Sequence, residues 1–219
     1  MAMVHLLEQS KINVIVPVQV CCGLPMMSKG NTRGVYKNIE YNVEIFSKAI
    51  ADGYVVITTC SSCSFFLKRH YPLLGGEKGA QVARNTYHFS EYLLKLYQAG
   101  RLNTDFRYMP QTVFYQSSCH LRASGMGQPS VDMLRLVPGI VVKHVSNNCC
   151  GMGGGHGYEK VNHELSFTIG GKLFSEIDEN HTDRVLTDCG GCKLQIEAGT
   201  GIMVDHPVIL LQEASTNNG

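Results

Sequence analysis

Nine cysteines in a chain of 219 residues constrain this sequence more than any other feature. They stand at positions 21, 22, 60, 63, 119, 149, 150, 189 and 192. Nine is odd, so disulfides alone cannot pair them all. The opening Met1-Ala-Met-Val-His-Leu-Leu-Glu8 lacks the basic-then-apolar order of a secretory leader. The expected compartment is therefore the cytosol, where clustered cysteines serve as metal ligands or redox groups rather than staples.

Their spacing repeats. Cys21-Cys22-Gly23 is followed, 38 residues after Cys22, by Cys60-Ser-Ser-Cys63. Cys149-Cys150-Gly151 is followed, 39 residues after Cys150, by Cys189-Gly-Gly-Cys192. Adjacent cysteines, a glycine and a C-x-x-C in one order at nearly one distance indicate duplication. The second copy has a further member, Cys119, 30 residues before Cys149. Its counterpart in the first copy would fall near or before residue 1, so the chain is expected to lack an upstream piece.

Apolar periodicity places these motifs. Residues 12–18 (Ile-Asn-Val-Ile-Val-Pro-Val) read as a buried strand, with Pro17 tolerable only near its end. Val35, Ile39, Val43, Phe46 and Ile50 follow at helical spacing, stopped by Gly53. Residues 54–58 are strand-like and run into Cys60. In the second half, residues 112–115, 140–145 and 184–187 read as strands before Cys119, Cys149 and Cys189, and Val161, Leu165, Ile169, Leu173 and Ile177 form the matching helix. The joining stretch holds a turn at Gly75-Gly76-Glu77-Lys78-Gly79 and a helix with Phe89, Tyr92, Leu93 and Leu96 on one face.

Strand, loop, helix, strand is the order of a mainly parallel α/β sheet, whose ligands gather beyond the C-terminal strand ends. The expected fold is α/β, in two tandem related halves, each a small mainly parallel sheet with helices and its cysteines at strand ends. One rim would carry Cys21, Cys22, Cys60 and Cys63, and another Cys119, Cys149, Cys150, Cys189 and Cys192, so that loss of Cys63 would touch only the first.

Composition narrows the partners. At 44% hydrophobic the chain carries enough apolar residues for packed cores. A net charge of +1 provides no field for nucleic acid. Seven Lys/Arg against three Asp/Glu in residues 68–107 read as a solvated helix face. No apolar run approaches the roughly 18–20 residues that span a bilayer.

Thiolates are soft ligands, and four or five on one rim suit zinc or an iron–sulfur cluster. Four satisfy a zinc tetrahedron; five with two adjacent fit several irons better. A thioredoxin-like dithiol or a zinc-stabilised scaffold is the rival reading. The glycines of residues 151–157 lack the Lys-Ser/Thr of a phosphate loop and instead let backbone N–H groups approach sulfur. His120 and His156 lie beside cysteines as candidate donors of a hydrogen bond or proton.

The run Cys119…Cys149-Cys150-Gly151…Cys189-x-x-Cys192 resembles the cysteine-rich CCG domain. That domain occurs in the B subunit of heterodisulfide reductase, in glycolate and lactate oxidation iron–sulfur proteins, and in the C subunit of anaerobic glycerol-3-phosphate dehydrogenases. Residues 134–140, 187–197 and 206–211 resemble the last of these in particular. The likeness divides the chain into an incomplete first domain (1–75), a helical connector (76–110) and a complete second domain (111–219). It implies a [4Fe-4S] cluster per complete copy, non-cubane in the heterodisulfide reductase case, hence one or two per chain. Cys119, Cys149, Cys150, Cys189 and Cys192 would bind one; Cys21, Cys22, Cys60 and Cys63 would bind the other, one ligand short. Gln116 and Ser118 stand where relatives often carry His and Pro.

The implied function is electron transfer, without catalysis of its own, in a membrane-associated anaerobic dehydrogenase of glycerol-3-phosphate type. Electrons would come from a partner flavin subunit and leave toward the quinone pool or a membrane subunit, with the chain peripheral to the inner face of the cell membrane. The alternatives are a heterodisulfide-reductase-like thiol/disulfide catalyst, a glycolate or lactate oxidation subunit, and the zinc scaffold.

Overall fold

Met3, Leu6 and Leu7 form the buried stripe of α1 (Ala2–Gln9) in the computed structural model, which describes residues 1–215; the last residues of the expected 111–219 unit lie outside them. Residues 12–22, outside any helix or strand, then lead to α2 (Leu24–Ser28) and α3 (Thr32–Ala51). The Asn31 side chain caps α3 by accepting the Gly34 N–H at 3.0 Å. Val35, Ile39, Val43 and Phe46 line its buried face, as their three- and four-residue spacing requires. Gly53, at φ +89°, turns the chain into β1 (Val56–Thr58). α4 (Ser61–Arg69), α5 (Tyr71–Leu74), α6 (Gly76–Arg84), β2 (Thr86–His88) and α7 (Phe89–Gln98) follow.

The second half runs β3 (Gln111–Gln116), α8 (Cys119–Ala123), α9 (Pro129–Leu134), β4 (Ile140–Ser146), α10 (His163–Asn180), β5 (Arg184–Thr187), α11 (Gly190–Thr200), β6 (Val204–Asp205) and α12 (Pro207–Ala214). All pairings between these strands are parallel, in the order β4-β3-β5-β6, while β1 and β2 form a separate parallel pair. The expected α/β fold with small parallel sheets is what the chain adopts.

The duplication extends to element order. β1, α4, β2 and α7 correspond to β5, α11, β6 and α12, and α1 and α3 to α9 and α10. Cys60 and Cys189 each stand in extended backbone as the residue before a helix, α4 and α11. His88 and His206 hold the same place before α7 and α12, and both rings pack against Phe89, with centroids 4.7 and 4.9 Å away.

The two halves share a core. Met3, Leu6 and Leu7 of α1 join Phe89, Leu93 and Leu96 of α7, Val131 and Leu134 of α9, and Leu210 and Leu211 of α12 in one buried cluster. α1 packs on α12 and α7 on α9, so each helix meets the counterpart of its repeat-mate's neighbour. Each fully buried Leu or Phe contributes about 1.5–3 kcal/mol, which ties the halves into one body.

Four expectations are corrected. Residues 12–18 form no strand, and Ile15, Val16 and Val18 are exposed. Their second-half counterpart, β4, pairs with β3, and no strand of the described first half occupies the β3 position. The residues 75–79 turn is instead the start of α6: Gly79 lies so close to α5 that a Cβ would sit 2.2 Å from the Tyr71 carbonyl oxygen. On α10 only Leu173 and Ile177 of the expected stripe are buried, while Val161, just before the helix, and Leu165 and Ile169 within it face outward. The 76–110 stretch is more than helical, because β2 within it pairs with β1.

Candidate metal centre

Cysteine thiols reach this region from helix N-termini and glycine turns. Cys60 and Cys189 each accept a backbone N–H three residues on, from Cys63 and Cys192. Cys22 and Cys150 likewise accept the N–H of Leu24 and Met152. The Gly151 N–H donates to Cys149 Sγ at 3.3 Å. Such N–H groups favour the charged sulfur, as a helix N-terminus does.

The two adjacent-cysteine turns are clamped differently. In the second half Gly151, at φ +89°, presses against α10, where an added Cβ would meet the Ser166 carbonyl oxygen at 1.9 Å. Ser166 Oγ donates to the Gly151 carbonyl at 2.9 Å and accepts from Gln195 at 2.8 Å. In the first half Asn42 of α3 bonds both the N–H and the carbonyl of Val20 at 3.0 Å, and Tyr71 donates to the Cys22 carbonyl at 3.2 Å.

The sulfurs then meet in one run. Cys21 interacts with Cys22, Cys22 with Cys63, and Cys63 with Cys60. Cys60 interacts with Cys189 across the two halves, where Ser62 Oγ approaches Cys189 Sγ to 3.6 Å, and Cys189 interacts with Cys192. Cys192 Sγ lies 3.1 Å from Cys150 Sγ, and Cys150 touches Cys149. Cys119 stands apart from these contacts but senses the charge of Cys150 and Cys189. The expectation of two separate rims is therefore corrected: the rims abut at Cys60 and Cys189, because α4 packs against α8 and carries Cys60 to the second set.

Hydrogen bonding sorts the thiols into donors and acceptors. Interactions with Cys149 and Cys192 pull Cys150 down to about 4, and one with Cys63 pulls Cys22 down to about 7. Bonds from Cys192 and Cys60 hold Cys189 far below an ordinary thiol. Their partners Cys63, Cys192 and Cys149 are pushed up by the same interactions. Cys22, Cys150 and Cys189 are thus the sulfurs whose charged form is favoured.

Residues around the junction supply further polar contacts. Ser62 Oγ shares a 2.8 Å hydrogen bond with His120 Nδ1 and lies 3.6 Å from Cys189 Sγ, and the His120 ring stacks on Phe65 at 5.0 Å. His156, the other candidate, is exposed and pairs with Asn162 instead. Ser118 Oγ donates to Ser61 Oγ at 2.7 Å, and Gln116 accepts from Thr187 at 2.7 Å, so both are structural ties. Full burial pushes Asp188 up to about 7, although Tyr115 and Ser130 donate to its carboxylate. Its carbonyl accepts the Ser61 N–H at 3.1 Å, and His206 Nε2 bonds the Thr59 carbonyl at 2.8 Å. Sequence reading missed Ser62, Asp188 and His206. Their one signal was position, inside or next to each C-x-x-C or at a helix start.

What these residues suit follows from their donor chemistry. Among the described residues, no three His, Cys, Asp or Glu side chains gather tightly enough to enclose a single metal ion. Nine cysteines in two repeat-related sets do supply soft sulfur donors in the number that a sulfide-bridged group of several irons takes. Cys21, Cys22, Cys60 and Cys63 also line one cavity of about 460 Å³. The residues therefore fit an iron–sulfur group.

Known proteins share this pattern. The C subunit of the anaerobic glycerol-3-phosphate dehydrogenase of Escherichia coli (strain K12) is 32% identical over 195 residues, 89% of this chain and 49% of that protein. The B subunit of the CoM/CoB fumarate reductase of Methanothermobacter marburgensis is 32% identical over 90% of this chain and 38% of its own length. The probable glycolate oxidase iron–sulfur subunit of Bacillus subtilis (strain 168) is 28% identical, over 85% and 42%. The chain thus spans half or less of the length of these relatives. Residues 1–68 and 113–197 match the cysteine-rich CCG domain. That match takes in both copies of the repeat and more than half of the sequence, and the chain belongs to the CCG cysteine-rich domain family.

Proposed function

We propose that this chain holds iron–sulfur clusters at its two abutting cysteine sets and serves as an electron-transfer subunit of an oxidoreductase. The reading extends to an anaerobic dehydrogenase of glycerol-3-phosphate type, with a flavin-containing partner as donor and quinone or a membrane subunit as acceptor. Cys119, Cys149, Cys150, Cys189 and Cys192 would hold one cluster, and Cys21, Cys22, Cys60 and Cys63 the other. When bound, such a group supplies one-electron redox chemistry whose potential follows burial and hydrogen bonding to sulfur.

The observation that carries this reading is the continuous run of sulfurs from Cys21 to Cys149, joined across the halves at Cys60 and Cys189. The chain's own residues have distinct tasks in it. Backbone N–H groups of Leu24, Cys63, Met152 and Cys192 steady charge on sulfur. Cys22, Cys150 and Cys192 are buried, which keeps water from the centre of each set. Cys21, Cys119 and Cys149 are exposed and give an outer edge to each partner. The similarity to the glycerol-3-phosphate dehydrogenase C subunit supports the substrate class. No helix among the described residues is long and apolar enough to cross a membrane, and the membrane contact in this reading is peripheral or through another subunit.

A rival, thiol/disulfide catalysis, draws on the same exposed sulfurs and on the likeness to a CoM/CoB-linked subunit. Stopped-flow reduction of the anaerobic holoprotein separates the two. Rapid bleaching of the visible absorption by a reduced flavodehydrogenase, with no turnover of added disulfides, is the expected result. Sustained disulfide reduction by the isolated chain would replace the carrier with the catalyst.

A further inference from the structure

Positive charge gathers in the first half at a place where the second half carries acids. Lys68 and Arg69 stand in the last turn of α4, Arg84 in that of α6 and Lys95 in that of α7. All four line one pocket of about 590 Å³, beside Tyr87 of β2. The basic run of residues 68–107 is therefore not one helix face, since three helices bring its cations together. Lys68 and Lys95 approach the same Tyr87 ring, their nitrogens 5.9 and 4.2 Å from its centroid. Glu91 lines the pocket too, and Lys68 pairs with this carboxylate at 2.6 Å. Among the described residues, Arg69, Arg84 and Lys95 form no ion pair.

A cation in the last turn of a helix commonly answers the negative end of the helix dipole. The repeat shows that this fold does not need them for that. α11 and α12, the counterparts of α4 and α7, end without a basic residue. Counted from Cys60 with Cys189 and from His88 with His206, Lys68 corresponds to Glu197, Tyr87 to Asp205 and Lys95 to Glu213. Those acids are answered within their own half. Lys193 pairs with Glu197 at 3.2 Å, and Arg184 with Asp205 and Glu213 at 3.7 and 2.8 Å. Unpaired cations gathered in one place repel one another, so the basic pocket is a cost that the fold itself does not require.

We propose that this pocket binds the phosphate group of a phosphate monoester. A guanidinium group matches two phosphate oxygens at once, and an ammonium group adds a compact charge. Two of each, set against one carboxylate, suit a dianion better than a single carboxylate ligand. The Tyr87 ring attracts Lys68 and Lys95 through its face and holds both ammonium groups on one side of the pocket. A phosphate monoester occurs free in solution and as the headgroup of phosphatidic acid, and the recognising chemistry is the same for both. The site goes beyond the electron-transfer reading and stands whether or not the clusters proposed above are present.

The test is calorimetric titration of the holoprotein with inorganic phosphate, beside co-sedimentation with phosphatidylcholine vesicles that contain phosphatidic acid. Saturable binding in at least one arm is expected. Binding of free phosphate assigns the site to a soluble ester, and binding to the vesicles alone assigns it to the lipid headgroup. The variant Arg84→Glu/Lys95→Glu changes two exposed positions, the second to the charge its repeat-mate carries. It should keep its thermal unfolding and bind more weakly by roughly tenfold or more. Lys37→Glu/Lys172→Glu makes the same charge change at exposed positions outside the pocket and should bind as the unaltered protein does. No saturable binding in either arm, binding that survives reversal at Arg84 and Lys95, or equal weakening in both variants would overturn the proposal. Tighter binding of an acidic peptide than of either phosphate probe would also overturn it, assigning the pocket to a partner protein.

Discussion

Cys189→Ser is expected to lower the iron content of both halves, whereas Cys21→Ser lowers that of the first half alone. Cys189 touches Cys192 within its own set and Cys60 of the other, and it meets the Ser62 hydroxyl at 3.6 Å. Serine offers a harder and shorter oxygen donor that suits iron–sulfur ligation poorly. Cys21 lies at the solvent-facing end of the run and meets only Cys22. Iron per chain and visible absorption after anaerobic reconstitution read the difference. At least half of the absorption should vanish in Cys189→Ser, and a smaller share in Cys21→Ser. Losses confined to a single set in both variants would mean that the halves are independent.

Gly151→Ala should be the most damaging glycine substitution at the site, costing about 2–5 kcal/mol of stability. A side chain at φ +89° is strained, and its Cβ would lie 1.9 Å from the Ser166 carbonyl oxygen. Relief demands moving α10, which also carries Gly170, whose own added Cβ would meet the Cys150 carbonyl oxygen at 2.6 Å. Gly153→Ala is the control. It shares positive φ but meets nothing nearer than 3.5 Å, so its cost should stay near the roughly 1–2 kcal/mol of the backbone strain alone. Urea unfolding midpoints compare the two, and equal midpoints would show that the turn yields without cost.

Local pattern made much of this legible. The spacing of Val35, Ile39, Val43 and Phe46 belongs to one helix, and that helix buries them. Cysteine spacing exposed the duplication because the order of residues in each copy is a property of the chain itself. What escaped depends on pairing between distant segments. Residues 12–18 have a strand's composition, but a strand exists only where a neighbour accepts its hydrogen bonds, and composition does not reveal the neighbour. Val161, Leu165 and Ile169 keep helical spacing yet face outward, since α10 turns Ser166 and Gly170 toward the Gly151 turn and leaves these three exposed. The meeting of Cys60 with Cys189 was the least readable of all. It depends on how α4 seats against α8, and although Ser61 and Ser62 bond across the junction, their place inside a C-x-x-C does not name the distant residues they meet.

An anaerobic count of iron, acid-labile sulfide and zinc on the purified chain tests the centre most directly. The sulfur run predicts several irons per chain with sulfide in matching amount and no stoichiometric zinc. Zinc in place of iron and sulfide would contradict it and leave a metal-stapled scaffold.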